Sequence, residues 1–317
     1  MAHAHLLVLH RDWDGMLRYL AGGNRRDELR EWNEWGMLPL HEALSSRAPL
    51  QVIQALIDAY PEGARAASLG GGRLPLHRAA MHQAPVEVVQ ALMDAYPEGA
   101  QMADSGGRLP LHWAAEMQAP VEVVFALLDA YPEGARTAGN GGRLPLHGAG
   151  GTPDSKVEVV QALLNAYPEG VRTQDNDGWL PLHLAAEGTA PVEVIRVLLE
   201  AYPEAVHIQN NEGQKPGRTS VGDGDDLPHL FDHPRIHMML SLARANHLPS
   251  RPWTPQTHFI LRGIAACVPD TDTSAFIDAH VLRVRTLVLA MHRLGVPSAL
   301  APLLASRVFL ADMQEPS

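Results

Sequence analysis

The fold is decided by the stretch Gly107-Arg-Leu-Pro-Leu-His-Trp-Ala-Ala115 and the segment that follows it, Ala119-Pro-Val-Glu-Val-Val-Phe-Ala-Leu-Leu128. Proline fits the first turn of a helix, so Pro110 and Pro120 each predict a helix start. The apolar residues of the second segment recur at helical spacing and predict a buried stripe: Val121, Val124, Leu127 and Leu128. Tyr131-Pro-Glu-Gly134 predicts the end of that helix, with glycine as a left-handed cap. One unit is therefore predicted as helix, short turn, helix and projecting loop.

This unit recurs along the chain. The tetrapeptide Leu-Pro-Leu-His occurs five times, at intervals of 36, 35, 35 and 36 residues, ending at His41, His77, His112, His147 and His183. The tetrapeptide Ala-Tyr-Pro-Glu recurs with the same period between these sites. A period of this length predicts a solenoid, in which each unit buries its apolar face only against its neighbours.

The repeated pattern Gly-x-Leu-Pro-Leu-His-x-Ala-Ala, followed by Val-Glu-Val-Val-x-x-Leu-Leu, resembles the ankyrin repeat over residues 1–247. The resemblance implies an all-α α-solenoid of helix-turn-helix-loop units. One departure is that leucine replaces the usual threonine before Pro-Leu-His in every unit. The threonine hydroxyl is therefore missing as a partner for the histidine. We predict that each histidine instead bridges backbone groups between neighbouring turns.

The repeats divide the chain into an array and a tail. We predict an ankyrin array (1–247) with a divergent N-terminal cap (1–34), five full repeats (35–212) and a degenerate C-terminal repeat (213–247), then a proline-rich linker (248–257) and a helical tail (258–317). Around Val296-Pro-Ser-Ala-Leu300 the tail resembles a degenerate F-box-like segment. The alternative interpretation is a helical cap that seals the open end of the solenoid.

Glycines at 148, 150 and 151 weaken the fourth unit and predict a hinge there.

Composition narrows the classes of function. The 317 residues carry a net charge of −11, which argues against binding to a phosphate backbone and thus against a nucleic-acid partner. The single cysteine, Cys267, excludes a disulfide framework and indicates a reducing compartment. No signal peptide and no apolar run of membrane-spanning length are present. We expect a monomer in the cytoplasm, with the nucleus as the alternative compartment.

The sequence offers little for catalysis. It contains no phosphate-binding Gly-x-x-x-x-Gly-Lys-Ser/Thr loop, no Gly-x-Ser-x-Gly elbow and no His-Glu-x-x-His motif. The repeat histidines are expected about 10 Å apart, too far to share one metal ion. His229, His233 and His237 are four residues apart, but Pro234 interrupts the helix that would align them. We therefore expect neither an enzyme nor a cofactor or metal site.

The ankyrin resemblance implies a concave groove formed by the projecting loops and the outward side of each first helix. The corresponding candidate protein-binding residues are Met37, Arg73, Met81, His82, Arg108, Trp113, Glu116, Met117, Arg143, Trp179 and Glu187. Arginine, tryptophan and methionine are enriched at protein interfaces. Arg73, Arg108 and Arg143 share one register and would suit an extended acidic segment.

The predicted function is a non-catalytic scaffold for a partner protein. The alternative is a substrate receptor of a ubiquitin ligase that docks through the tail.

Overall fold

The computed structural model describes residues 3–23, 26–188 and 190–217. The α-helices of these residues are α1 (His3–Leu9), α2 (Trp13–Ala21), α3 (Arg26–Leu29), α4 (Pro39–Ser45), α5 (Leu50–Ala59), α6 (Pro75–Met81), α7 (Val86–Ala95), α8 (Pro110–Glu116), α9 (Val121–Ala130), α10 (Pro145–Ala149), α11 (Val157–Ala166), α12 (Pro181–Glu187) and α13 (Val192–Ala201). All regular structure in the described ranges is helical, which confirms the predicted all-α fold class. The predicted linker, tail and F-box-like segment, together with His229, His233 and His237, lie outside these ranges.

Each repeat pairs a short first helix with a longer second helix. In the third unit, Pro110 occupies the first turn of α8, and Leu111, Ala114 and Ala115 are buried. The second helix, α9, buries Val123, Val124, Leu127 and Leu128. Equivalent helices pack against each other from unit to unit, as α8 does against α6 and α10. The core is thus a continuous apolar layer between the two rows of helices.

The prediction of a left-handed glycine cap at Gly134 is wrong. After α9 the chain continues directly into a 3-10 helix, Pro132–Arg136, and Gly134 is not among the residues with positive φ. The glycine is needed there because a Cβ would lie only 3.2 Å from the Tyr131 ring and 3.3 Å from Leu111. The left-handed conformation occurs instead in the following loop, where Gly142 has a φ of 75°.

The N-terminal helices continue the stack. α1 packs against α4 and α2 against α5, so the two helices take the places of a first and a second helix. A buried polar contact ties this pair to the array. His5, which is 1% exposed, contacts the carboxylate of Glu42 through Nδ1, and its Nε2 lies 2.9 Å from the carbonyl oxygen of Glu31.

The glycine-rich fourth unit is tied to its neighbour by a lysine. α10 is only five residues long, and a Cβ on Gly148 would lie 3.1 Å from the Cβ of Glu116. Where other units have proline before the second helix, this unit has Lys156. Its ammonium group donates to the carbonyl oxygen of Gln118 at 2.6 Å, and its backbone N–H donates to Gln118 Oε1 at 2.8 Å. These bonds bridge the third and fourth units at the predicted hinge.

Candidate protein-binding surface

The loop between one unit and the next, here called a finger, is anchored by a histidine of the preceding unit. In the third unit, His112 Nδ1 accepts a hydrogen bond from the backbone N–H of Leu109 at 3.0 Å. Its Nε2 lies 3.1 Å from the carbonyl oxygen of Arg143, to which it donates. The other four repeat histidines make the same pair of contacts: His41, His77, His147 and His183. This confirms the predicted bridging role.

These histidines are held in the neutral form. Burial lowers the pKa of His41, His77, His112 and His147 to about 4, against a partial opposing effect from the backbone carbonyl. A neutral imidazole has one donor and one acceptor nitrogen, which is what the two backbone contacts require. The carbonyl acceptors belong to Arg73, Arg108, Arg143, Trp179 and Gln214. The backbone of four predicted binding residues is therefore fixed from the preceding unit.

A polar side chain organises the turn within most fingers. Asp104 Oδ1 accepts hydrogen bonds from the backbone N–H groups of Gly106 and Arg108, both at 2.9 Å. Asp175, Asn33 and Asn210 close the same turn in their own fingers. The fourth unit has Gly139 at this position and lacks the side-chain contacts. This role of the turn residue was not predicted, although a polar residue recurs at this position with the repeat period.

An asparagine ladder joins the later fingers. The side-chain amide of Asn140 donates to the carbonyl oxygen of Ser105 at 3.2 Å. The backbone N–H of Asn140 donates to the carbonyl oxygen of Gly106 at 3.0 Å. Asn176 and Asn211 repeat the side-chain contact, each to the preceding asparagine. Because every rung bonds to the finger before it, these fingers form one stacked row.

The arginines of the predicted line already have acidic partners. Arg143 Nε lies 3.0 Å from Asp175 Oδ2, and Arg73 Nε lies 3.6 Å from Asp104 Oδ2, so each pairs with the next finger. Arg108 has no such acid because the next finger has Gly139. It instead contacts Glu116 at 2.7 Å. The guanidinium groups therefore lie in one row but are not free charges.

Trp113 lies beneath this row and is only 8% exposed. Its indole N–H donates to Asp104 Oδ2 at 3.1 Å. The guanidinium carbons of Arg73 and Arg108 lie 4.6 and 4.8 Å from its ring centroid, within cation–π distance. Trp113 thus supports the two arginines and is not itself an exposed anchor.

The other predicted binding residues lie at the surface of the fingers and the first helices. Met37, Met81, His82, Met117 and Trp179 are half-buried, and Glu187 is exposed. Together with the arginines and Glu116, they form what we call the groove surface.

In the described part of the chain, no three His, Cys, Asp or Glu side chains gather as a metal site would require. None of the described helices is long and apolar enough to cross a membrane.

Comparison with known proteins identifies the repeats. Residues 40–138 match a family model described as ankyrin repeats (3 copies), and residues 177–211 match one described as ankyrin repeat. A similar solved structure is the ankyrin repeat domain of Bcl-3, described as a unique member of the IkappaB protein family. It is 23% identical, with a TM-score of 0.50, over 67% of this chain and 91% of that chain. No curated protein matches the sequence.

Proposed function

We propose that this chain, which carries ankyrin repeats, is a non-catalytic scaffold that binds a partner protein through the groove surface. The observation that carries the proposal is that the fingers are fixed in place. Five of them are each held by a repeat histidine of the preceding unit, and most also by an internal polar turn or an asparagine rung. A surface that is ordered before binding loses less conformational entropy when it binds.

The side chains displayed there suit a protein ligand. Met81 and Met117 offer adaptable apolar contacts, and Trp179, which occupies the repeat position of Arg73, Arg108 and Arg143, offers a half-buried ring. The paired arginines are only partly covered, with 38% of the Arg108 side chain and 49% of the Arg143 side chain exposed. We propose that an acidic segment of the partner approaches this row and shares the guanidinium groups with their present partners.

The alternative function, a ubiquitin-ligase substrate receptor, depends on the tail beyond residue 247. No observation on the described residues favours it over a binding scaffold, so it stays a prediction. Both functions place the partner on the groove surface and differ only in what the tail does.

The test compares two apolar-to-acidic changes on the full chain. Met117→Asp alters the groove surface, whereas Phe125→Asp alters a side chain on the second helix α9 that is 50% exposed. Affinity purification from cells, with proteins identified by mass spectrometry, should give a partner that wild type and Phe125→Asp retain and Met117→Asp loses. Circular dichroism melting checks that both variants are folded. A partner lost equally from both variants, or from neither, would contradict the proposed surface.

A further inference from the structure

Positive charge at the end of α6 differs from that of the arginine row because it has no acidic partner. Arg78 lies on α6, and His82 is the residue that caps the C-terminal end of this helix, four residues later. Among the described residues, no carboxylate forms an ion pair with Arg78 or Arg47, whereas Arg108 and Arg143 are paired at 2.7 and 3.0 Å.

Two nitrogen atoms of this cluster are buried without a hydrogen-bond partner. They are Arg78 Nε and His82 Nε2. Buried polar atoms in folded proteins are almost always bonded, so an unpartnered pair at one place needs an explanation. Both atoms belong to side chains that are only half-buried, so a ligand can reach the groups that carry them.

The neighbouring arginines also affect the pKa values of His82 and Arg78. Burial, followed by the positive charges of Arg78 and Arg47, lowers the pKa of His82. Burial and then the charge of Arg73 lower the pKa of Arg78. Arg47 itself lies in the turn after α4, with a φ of 56°. Arg47 and Arg78 therefore lie close enough to His82 to favour its neutral form, and an anion placed among the three groups would offset the two arginine charges.

From these observations we infer that Arg47, Arg78 and His82 form an anion subsite of the groove surface, which takes a carboxylate or phosphoryl group on a side chain of the partner segment. The inference rests on the proposed function and deepens it. A planar guanidinium binds either group through two parallel hydrogen bonds. Attraction is local in a chain of net charge −11, because charges beyond about 8 Å are screened at physiological salt.

The neighbouring residues specify more of the ligand. Met81 precedes His82, and Met117 lies close by, because the side-chain amide of Gln83 donates to the Met117 carbonyl oxygen at 2.5 Å. An apolar side chain next to the acidic one would cover these methionines. The preferred segment is therefore an acidic residue beside an apolar residue.

The experiment measures fluorescence anisotropy of labelled peptides binding to the full chain. One peptide places a leucine between glutamates, and a second replaces one glutamate with phosphoserine. Arg78→Gln should weaken binding at least tenfold. The matched control Arg65→Gln, which removes an exposed arginine from the 3-10 helix Pro61–Arg65, should change it less than twofold. Tighter binding of the phosphoserine peptide identifies a phosphoryl ligand, and equal or weaker binding identifies a carboxylate.

Two results would overturn the inference. One is failure of the wild-type chain to bind either peptide, and the other is equal weakening by both variants, which indicates unspecific charge attraction. His82→Asn provides a second variant if Arg78→Gln melts at a lower temperature than wild type. If the purified partner is lost from Met117→Asp but kept by Arg78→Gln, the subsite is wrong while the proposed function stands.

Discussion

The carboxylate of Asp104 accepts a hydrogen bond from the indole N–H of Trp113 at 3.1 Å and so joins a finger to the first helix of its own unit. The same carboxylate accepts two backbone N–H groups of its turn and pairs with Arg73 of the preceding finger. Burial raises the pKa of Asp104, but the hydrogen bonds from the Arg108 backbone, the Trp113 indole and the Gly106 backbone outweigh it and lower the pKa. One side chain thus connects two fingers and a helix.

Replacement of Asp104 by alanine should therefore destabilise the array. The change leaves a buried indole N–H and two turn N–H groups without their acceptor, at a cost of about 1–3 kcal/mol in the free energy of unfolding. Urea unfolding followed by circular dichroism measures the difference. Asp129→Ala, an exposed carboxylate at the end of α9, is the control and should change stability by less than about 0.5 kcal/mol. Equal stability of the two variants would show that the Asp104 bonds are replaced by water.

The reverse change at Gly139 should stabilise the protein. Gly139→Asp supplies the turn acceptor that the fourth finger lacks and gives Arg108 an acid in the next finger. The backbone accepts it, because a Cβ at Gly139 meets its nearest neighbours at 3.5 Å and φ is not positive. We expect a gain of about 1 kcal/mol, measured by the same urea unfolding. A loss of stability would mean that the fourth finger differs in shape from its neighbours.

Stability should depend on pH through the repeat histidines. Their pKa is about 4 in the folded chain and near 6.5 when unfolded, so the unfolded chain binds more protons between these values. Their contribution is complete above pH 6.5 and is lost as the pH falls towards 4. Each of the four should lower the free energy of unfolding by roughly 1.4 kcal/mol per pH unit in that window.

Urea titrations at half-unit intervals between pH 7.5 and 4.5 test this dependence. His112→Gln should reduce the slope by about one proton, because the amide can bond the same backbone groups without titrating. A slope that is unchanged in this variant would assign the acid sensitivity to other groups.

The two glycines of the fourth unit should respond differently to alanine. A Cβ at Gly150 would meet Ala185 and Leu198 at 3.5 Å, which is ordinary contact, and its φ of −93° is compatible with alanine. Gly150→Ala should therefore gain about 0.4–1 kcal/mol. Gly148→Ala should gain nothing or lose stability, because its Cβ would crowd the Cα of Glu116 at 3.3 Å. Thermal unfolding of the two single variants distinguishes them, and equal gains would show that α8 can move aside.

The parts of the fold that local chemistry determines were predictable from sequence. Pro110 begins α8 and Pro120 directly precedes α9 because proline fits the start of a helix, and the histidine that recurs in the first turn of each first helix has backbone groups within reach. The burial of Trp113 was not predictable, because it depends on Asp104, nine residues earlier, and on arginines from two fingers. The error at Gly134 has the same origin, since glycine there satisfies a tertiary contact with Tyr131 and Leu111 and not a local turn.

The partners of the repeat histidines carry one further consequence. Each imidazole bonds only to backbone atoms, one in its own unit and one in the next, whatever side chain stands at the accepting residue. That residue is arginine in three units, tryptophan in another and glutamine at Gln214. The histidine bond between units is thus independent of the side chain that the accepting residue carries. The residue at this position can therefore change from unit to unit without loss of the histidine bond, so a displayed side chain can diversify while that link between units is kept.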